Sequence, residues 1–202
     1  MIYASCVFEQ SLVANMSSFD LDLPAETVTR LGEYYSLLTR WNDRLHLVAP
    51  CSPEEFAVRH ILESLMLLKH LPQNATIADI GSGGGLPIIP CLIVRPDLQA
   101  TLIESSQKKS VFLREATRRF QATIIARPFE QIDPPPVDFI TCRALDQFMQ
   151  KLPTLIEWAP QGSTLLLFGG ETLREELQKA NVNSEAFLIP QSEKRFLFLA
   201  TD

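Results

Sequence analysis

Apolar and polar positions follow two rhythms along this chain. From Ala25 the apolar residues Val28, Leu31, Tyr35, Leu38 and Trp41 recur at helical spacing, the stripe of one amphipathic helix. After a turn at Ala49-Pro50-Cys51, Ser52-Pro53-Glu54-Glu55 has capping-box form with proline at the first helical position. It predicts a helix through Phe56, Leu62, Leu65 and Leu68 towards His70, ended by Pro72-Gln73-Asn74. From residue 75 the rhythm becomes one of short apolar runs. They predict strands near 76–80, 98–104, 122–126, 137–142 and 163–168, with helical stretches between them except at the loop Asp133-Pro134-Pro135-Pro136. Two more runs, near 184–189 and 195–200, have little but a turn between them and predict an antiparallel hairpin. The pattern predicts an α/β fold. A mixed, largely parallel sheet carries helices on both faces, with 1–72 as a helical cap packed on a main domain of 73–202.

Between the first strand and the apolar run Leu86 to Val94 lies Asp79-Ile80-Gly81-Ser82-Gly83-Gly84-Gly85-Leu86-Pro87. A strand, a glycine turn and a helix start make a nucleotide-cofactor cradle: glycine permits close backbone approach, and free N–H groups favour electronegative ligand atoms. A dinucleotide fingerprint would place its third glycine where Leu86 stands. The acidic-x-Gly-x-Gly-x-Gly order instead looks like motif I of the class I S-adenosylmethionine-dependent methyltransferases, which puts Asp79, Gly81, Ser82 and Gly83 in a cofactor turn. The second predicted strand ends in Glu104, about 20 residues on, where a carboxylate accepts hydrogen bonds from ribose hydroxyls. An acid there also suits the plain task of capping the next helix.

Composition narrows the setting. Hydrophobic residues make up 46% and charged residues 21% of 202 residues, a globular balance with material for a full core. No run approaches the ~20 apolar residues of a membrane span, and the first residues lack signal-peptide order, so a cytoplasmic protein off the membrane is expected. Cys6, Cys51, Cys91 and Cys142 are scattered, indicating neither a disulfide framework nor a metal site. The net charge of −6 argues against broad nonspecific nucleic-acid affinity but allows a local basic patch.

Longer stretches carry a closer resemblance. Trp41-Asn42, Arg59-His60-Ile61-Leu62-Glu63-Ser64, the glycine run through Leu86-Pro87, Glu104 to Arg114, and Cys142-Arg143-Ala144 follow one another in an order similar to the rRNA small-subunit methyltransferase G (glucose-inhibited division protein B) family. The resemblance runs from about Leu31 to the end of the chain. It implies a class I (Rossmann-like) methyltransferase sheet of seven strands. The implied activity is methylation of N7 of a guanine in 16S rRNA of the small ribosomal subunit, with S-adenosyl-L-methionine as cofactor. A monomer is expected. By the same resemblance Gly81 and Leu86 contact the cofactor, Glu104 its ribose, and Pro128 and Phe129 flank the adenine. Arg143 falls at the mouth shared by cofactor and substrate, with His60 and Lys108 facing the same cleft as candidate catalytic residues.

Guanine N7 has a lone pair and no proton, so alignment matters more than a general base. No Asn-Pro-Pro-Tyr-type motif follows the fourth predicted strand. Cys142, a conceivable cytosine-C5 nucleophile, has no accompanying motif. Phe168 stands where the family has a lysine, so Phe168→Lys is expected to keep or raise activity. Lys108, Lys109, Arg114, Arg118 and Arg119 suit RNA phosphates or equally the solvated face of a helix, and plainer readings stay open for His60 as an ion-pair partner of Glu63 and Trp41 as core. So do two other functions, a methyltransferase with a different substrate and a non-catalytic cofactor- or RNA-binding protein.

Overall fold

The computed structural model describes residues 2–143 and 148–201. Ala144, the last residue of the Cys142-Arg143-Ala144 motif, lies outside them. Seven strands form one sheet: β1 (Thr76–Ile80), β2 (Gln99–Ile103), β3 (Ala122–Ile125), β4 (Phe139–Cys142), β5 (Thr164–Gly169), β6 (Asn183–Leu188) and β7 (Phe196–Thr201). The order is β3-β2-β1-β4-β5-β7-β6, with β7 antiparallel to both neighbours and β1 to β5 parallel. Every strand lies within two residues of its predicted place.

Crossover handedness explains which helices go where. From β1 the chain steps outward to β2 and β3, carrying the helices Ile88–Val94 and Gln107–Thr117 on one face. From β4 it steps the other way to β5, so right-handed connections put Phe148–Trp158 and Glu171–Lys179 on the opposite face. Between β3 and β4 it returns through the proline-rich loop, holding only a short 3₁₀ turn at Phe129–Gln131.

The first face is the heavier one. Besides its two crossover helices it carries α1 (Ile2–Asn15), α2 (Ala25–Leu45) and a composite helix over 53–69. Residues on both sides of position 72, from Phe8 through Leu71 to Ile77 and Leu102, share one buried cluster. Ser52 caps the composite helix as its sequence predicts, its hydroxyl accepting from the Glu55 N–H at 3.1 Å, with Pro53 at the first helical position. The helix is not uniform: residues Phe56–Leu62 widen into a π-helical turn, a feature no side-chain periodicity announces.

The apolar rhythm singles out no helix at 2–15, because apolar residues occur all round α1 rather than in a stripe. Its place is nonetheless central. Phe8 and Leu12 are fully buried, and the Phe8 ring stacks on Tyr35 at 4.7 Å and 3°, with Phe56 against the same ring at 5.0 Å. Phe8→Ala should therefore cost about 3–5 kcal/mol, as for a fully enclosed core phenylalanine. Urea denaturation measures it; a loss under ~1 kcal/mol would make α1 an appendage.

Candidate functional site

A cleft of about 550 Å³ opens beyond the C-terminal ends of β1, β2 and β4, where the strand order departs in two directions from β1. The volume is in the range of small-molecule sites. Its floor is the glycine turn. Gly81, Gly83 and Gly85 take φ of 69°, 51° and 79°, a left-handed path that side chains resist, followed by a cis Leu86–Pro87 peptide. A Cβ on Gly85 would also lie 2.2 Å from Ile89 Cδ1, so that glycine serves the turn's packing. Gly81, Gly83 and Gly84 line the cleft itself and present bare backbone to it.

Four of the turn's N–H groups are already engaged, where the strand-turn-helix pattern suggests free ones. Gly81 and Ser82 donate to the Ile103 carbonyl, Gly85 to the Ser82 carbonyl, and Gly83 to Glu104 Oε2 at 2.9 Å. Glu104 Oε1 accepts the Ser106 N–H at 2.7 Å. Glu104 thus ties the glycine turn to the β2 exit, while the cap of the next helix is Ser106, whose hydroxyl accepts from Lys109 N–H. Oε1 also takes a long hydrogen bond from the Ser105 hydroxyl at 3.5 Å, whereas Oε2 keeps a second acceptor direction for a ligand hydroxyl.

The opposite wall comes from the α2 exit. Asn42 accepts the Val48 N–H at 2.9 Å and donates to the Val48 carbonyl at 3.1 Å, pinning Leu47, Val48 and Ala49 along the cleft. Its neighbour Trp41 packs edge-on against Phe112 at 6.1 Å, on the core side. Tyr34, buried, donates to the Gly84 carbonyl at 2.5 Å and braces the turn from behind.

Arg143 and His60 close the far end. The Arg143 guanidinium donates to the Arg59 carbonyl, to Ser64 Oγ at 3.3 Å and to Glu63 Oε2 at 3.2 Å. Glu63 is 2% exposed, and its other oxygen accepts from Arg195 at 2.6 Å. The Phe168 ring lies under the Arg143 guanidinium at 5.4 Å. His60 packs on Phe56 at 4.9 Å. Burial first, then the fields of Arg143 and Arg59, push its pKa down to about 4, so it is a neutral imidazole at physiological pH.

The cleft therefore brings together Gly81, Ser82, Gly83, Leu86, Glu104, His60 and Arg143 of the residues read from sequence. Others sit elsewhere. Asp79 is fully buried behind the turn, on the β1 face toward the N-terminal helices. Neither of its carboxylate oxygens has a hydrogen-bond partner among the described residues, and burial pushes its pKa well up from the usual carboxylate range. The Ser82 hydroxyl beside it donates to the Asp79 main-chain carbonyl instead. Pro128 and Phe129 border a small recess that shares Gly81 and Ser105 with the cleft, the Phe129 ring itself buried against Trp158 at 5.5 Å. Lys108 is exposed and outside the cleft; Lys109, one helical step further round, lines it. His60 and Glu63 form no ion pair, because Glu63 is committed to the two arginines. Cys142 is fully buried in the β4 core, where a substrate base does not reach.

Sequence reasoning missed Arg195, Tyr34 and the task of Asn42. Arg195 lies 132 positions from Glu63 and no local pattern marks it. The dipeptide Trp41-Asn42 was visible, but not the backbone that Asn42 would hold.

The residues present fit S-adenosylmethionine. A carboxylate with spare acceptor capacity stands over bare glycine backbone, beside an apolar wall of Leu47, Val48 and Leu86, with Lys109 and Arg143 as cations for an anionic group. A Cβ on Gly84 would come within 3.4 Å of Leu38 and Leu47, so the turn and the wall are closely fitted. Comparison with known proteins points the same way. The family model described as rRNA small subunit methyltransferase G matches residues 27–200. A ribosomal RNA small subunit methyltransferase G of Gluconobacter oxydans is 40% identical over 164 residues, 78% of this chain and 82% of that protein. Its namesake from Methylobacillus flagellatus is 35% identical over 84% of each chain. In fold, a SAM-dependent methyltransferase from Aquifex aeolicus superimposes with a TM-score of 0.60 at 13% identity, covering 83% of this chain and 98% of that one.

Two predictions follow the geometry. Phe168 does not leave an empty place for a lysine: it is 8% exposed and carries the Arg143 guanidinium. The expectation that Phe168→Lys helps is thus reversed. A second cation against Arg143 should cost about 2–4 kcal/mol of stability and lower methyl transfer, read by denaturation and a methylation assay. For His60, the folded pKa of about 4 lies below the ordinary 6.5, so between them only the unfolded chain binds the proton. Stability then falls as pH drops through that window. Denaturation at pH 7 and pH ~4.5 should show a smaller loss for His60→Gln than for wild type. Equal losses would place His60 in contact with water.

Proposed function

From the premise that this chain belongs to the rRNA small subunit methyltransferase G family, we propose how its cleft methylates guanine N7 in 16S rRNA. The observation that carries the reading is the pairing of a glycine floor and Glu104 with a fixed Arg143 across one cleft. S-adenosylmethionine supplies an electrophilic methyl group on a sulfonium, and its positive charge passes to the base with the methyl. No proton moves, so no general base is needed.

The chain's own residues bind and align. Glu104 takes the ribose hydroxyls, and the bare backbone of Gly81 and Gly83 admits the methionine portion beside Leu86. Asp79 lies buried behind the turn without a hydrogen-bond partner among the described residues, and Pro128 and Phe129 stand at the adenine end, beside a small recess that shares Gly81 and Ser105 with the cleft. Guanine presents O6 and N7 side by side as acceptors. Arg143 donates to O6 and leaves N7 open to the methyl, while His60, neutral and half-buried, offers an uncharged hydrogen-bonding edge to the base. A cation near a base that becomes positive would oppose the reaction. Glu63, shared by two arginines, offsets that charge at short range. Lys109 rather than Lys108 is the lysine at the cleft mouth.

The partner on this reading is the small ribosomal subunit or its 16S rRNA, met in the cytoplasm by a monomer. Among the described residues no helix is long and apolar enough to cross a membrane. The helices 1–72 act as a cap over the 73–202 methyltransferase domain.

The test is transfer of radiolabelled methyl to subunits from a strain lacking this gene, with nucleoside mapping of the product. Arg143→Ala should lose at least ~10-fold in rate if it orients the acceptor. Glu104→Ala should weaken calorimetric S-adenosylmethionine binding by about 1–3 kcal/mol, because it strands buried N–H partners as well as the ligand. A wild-type protein that binds the cofactor and methylates no rRNA would make this a binding protein.

A further inference from the structure

The eighteen lysines and arginines are not distributed evenly between paired and unpaired states. Eight lie in ion pairs within 4.0 Å, from Arg59 and Lys69 to Arg195. Among the described residues the other ten have no such partner, and nine of those fall on α2 or in one stretch of 21 residues, 107–127. Arg30, Arg40 and Arg44 are on α2; Lys108, Lys109, Arg114, Arg118, Arg119 and Arg127 are in the segment 107–127. Glu115 is the one acid in that segment, giving it a charge of +5 within a chain of −6. α2 balances its three arginines with Glu26, Glu33 and Asp43, so the excess belongs to the 107–127 segment, a local basic stretch in an acidic protein.

The region has shape as well as charge. Between α2 and the end of the 107–117 helix runs a groove of about 370 Å³, bordered by Arg30, Arg40, Arg118 and Arg119. Phe120 stands in it with the Arg30 guanidinium 5.9 Å from its ring centre, which holds that arginine toward the groove. Two carboxylates, Glu33 and Glu115, share the border, and no ion pair links them to the four arginines. The groove is joined to the cofactor cleft by solid structure. Tyr34 borders the groove, and its hydroxyl holds Gly84 of the cleft floor. The 107–117 helix begins with Lys109 in the cleft and ends with the groove arginines.

We propose that this groove binds the phosphate backbone of the substrate RNA, away from the reacting base, and so holds the target in register with the cleft. The proposal rests on the rRNA methyltransferase reading for the identity of the partner. Guanidiniums lining a groove suit phosphates that follow the strand, whereas the base is selected at Arg143. An acidic protein surface is the competing occupant, and it differs in leaving protein-free RNA unaffected.

The experiment compares wild type with Arg30→Gln/Arg40→Gln/Arg118→Gln/Arg119→Gln on 30S subunits and on protein-free 16S rRNA, both from a strain lacking this gene. KM for subunits should rise at least ~10-fold, with kcat at saturation and calorimetric cofactor affinity within about twofold of wild type. The slope of log affinity for 16S rRNA against log salt should flatten by about 3, four lost contacts at roughly 0.7 each on single strands. Because a quadruple variant can fail to fold, Glu33→Gln/Glu115→Gln is the opposite test: it should tighten RNA binding. Unchanged KM and salt slope overturn the proposal, as does a loss confined to subunits while free rRNA binds normally. A wild type that binds rRNA with the expected salt slope but methylates nothing would sink the enzymatic reading and leave the groove assignment standing.

Discussion

A buried carboxylate shared by two arginines sets the geometry on which the far end of the cleft depends. Glu63 sits in the composite helix, Arg143 just after β4, and Arg195 just before β7, so one side chain joins three parts of the chain separated by 80 and 132 positions. An acid at 2% exposure is costly to bury alone, and removing one partner from such a site typically costs several kcal/mol. Here both oxygens are committed, and Arg143 in turn uses the Ser64 hydroxyl and the Arg59 carbonyl. That carbonyl is available because the helix widens into a π turn at Phe56–Leu62, the same turn that presents His60. Phe168 then fills the space under the guanidinium. Four partners thus fix Arg143 before any substrate arrives, as the aligning role proposed for it requires.

Placement of this cluster follows from the uneven covering of the sheet. The face that carries α1, α2 and the composite helix is the face onto which β1 directs Asp79 and β5 directs Phe168. The cleft therefore has a floor from the sheet and glycine turn and a roof from the N-terminal helices, through Asn42 and the 47–49 wall. The front of the chain is part of the site, not a decoration on it. Asp79 marks the cost of that arrangement: a carboxyl buried under the helices, without partners, and pushed toward its neutral form.

What could be read from sequence divides along physical lines. Strands and their order of appearance were legible because a two-faced sheet demands short apolar runs, and the glycine turn because left-handed φ at Gly81, Gly83 and Gly85 leaves few other residue choices. Ser52 was legible as a cap for the same local reason. Lys108 against Lys109 was not, since it turns on 100° of helix phase relative to a cleft the sequence does not draw. α1 was invisible because its apolar residues continue onto its exposed side, Val13 among them, so no polar stripe marks the side that Phe8 and Leu12 bury. The Glu63–Arg195 contact and the π turn depend on partners far along the chain, and Phe168 reads as a lost cation until the ring is seen beneath Arg143.

Pairing decides what each cation can do. Arg143 and Arg195 are both bound to Glu63, which offsets one of their two charges, so on the proposed reading a base acquiring positive charge meets a reduced rather than a full opposing field. Those on α2 and the 107–127 segment have no such partner, so their charge reaches into solvent and acts over about a Debye length, ~8–10 Å at ordinary salt. A net charge of −6 then serves a purpose: it repels polyanions from the remaining surface while the arginines of the groove attract them. On the proposed readings, an arginine that shares a buried acid serves the chemistry and arginines without one serve recognition, kept apart on the same 202 residues by where acids were placed rather than by how many bases there are.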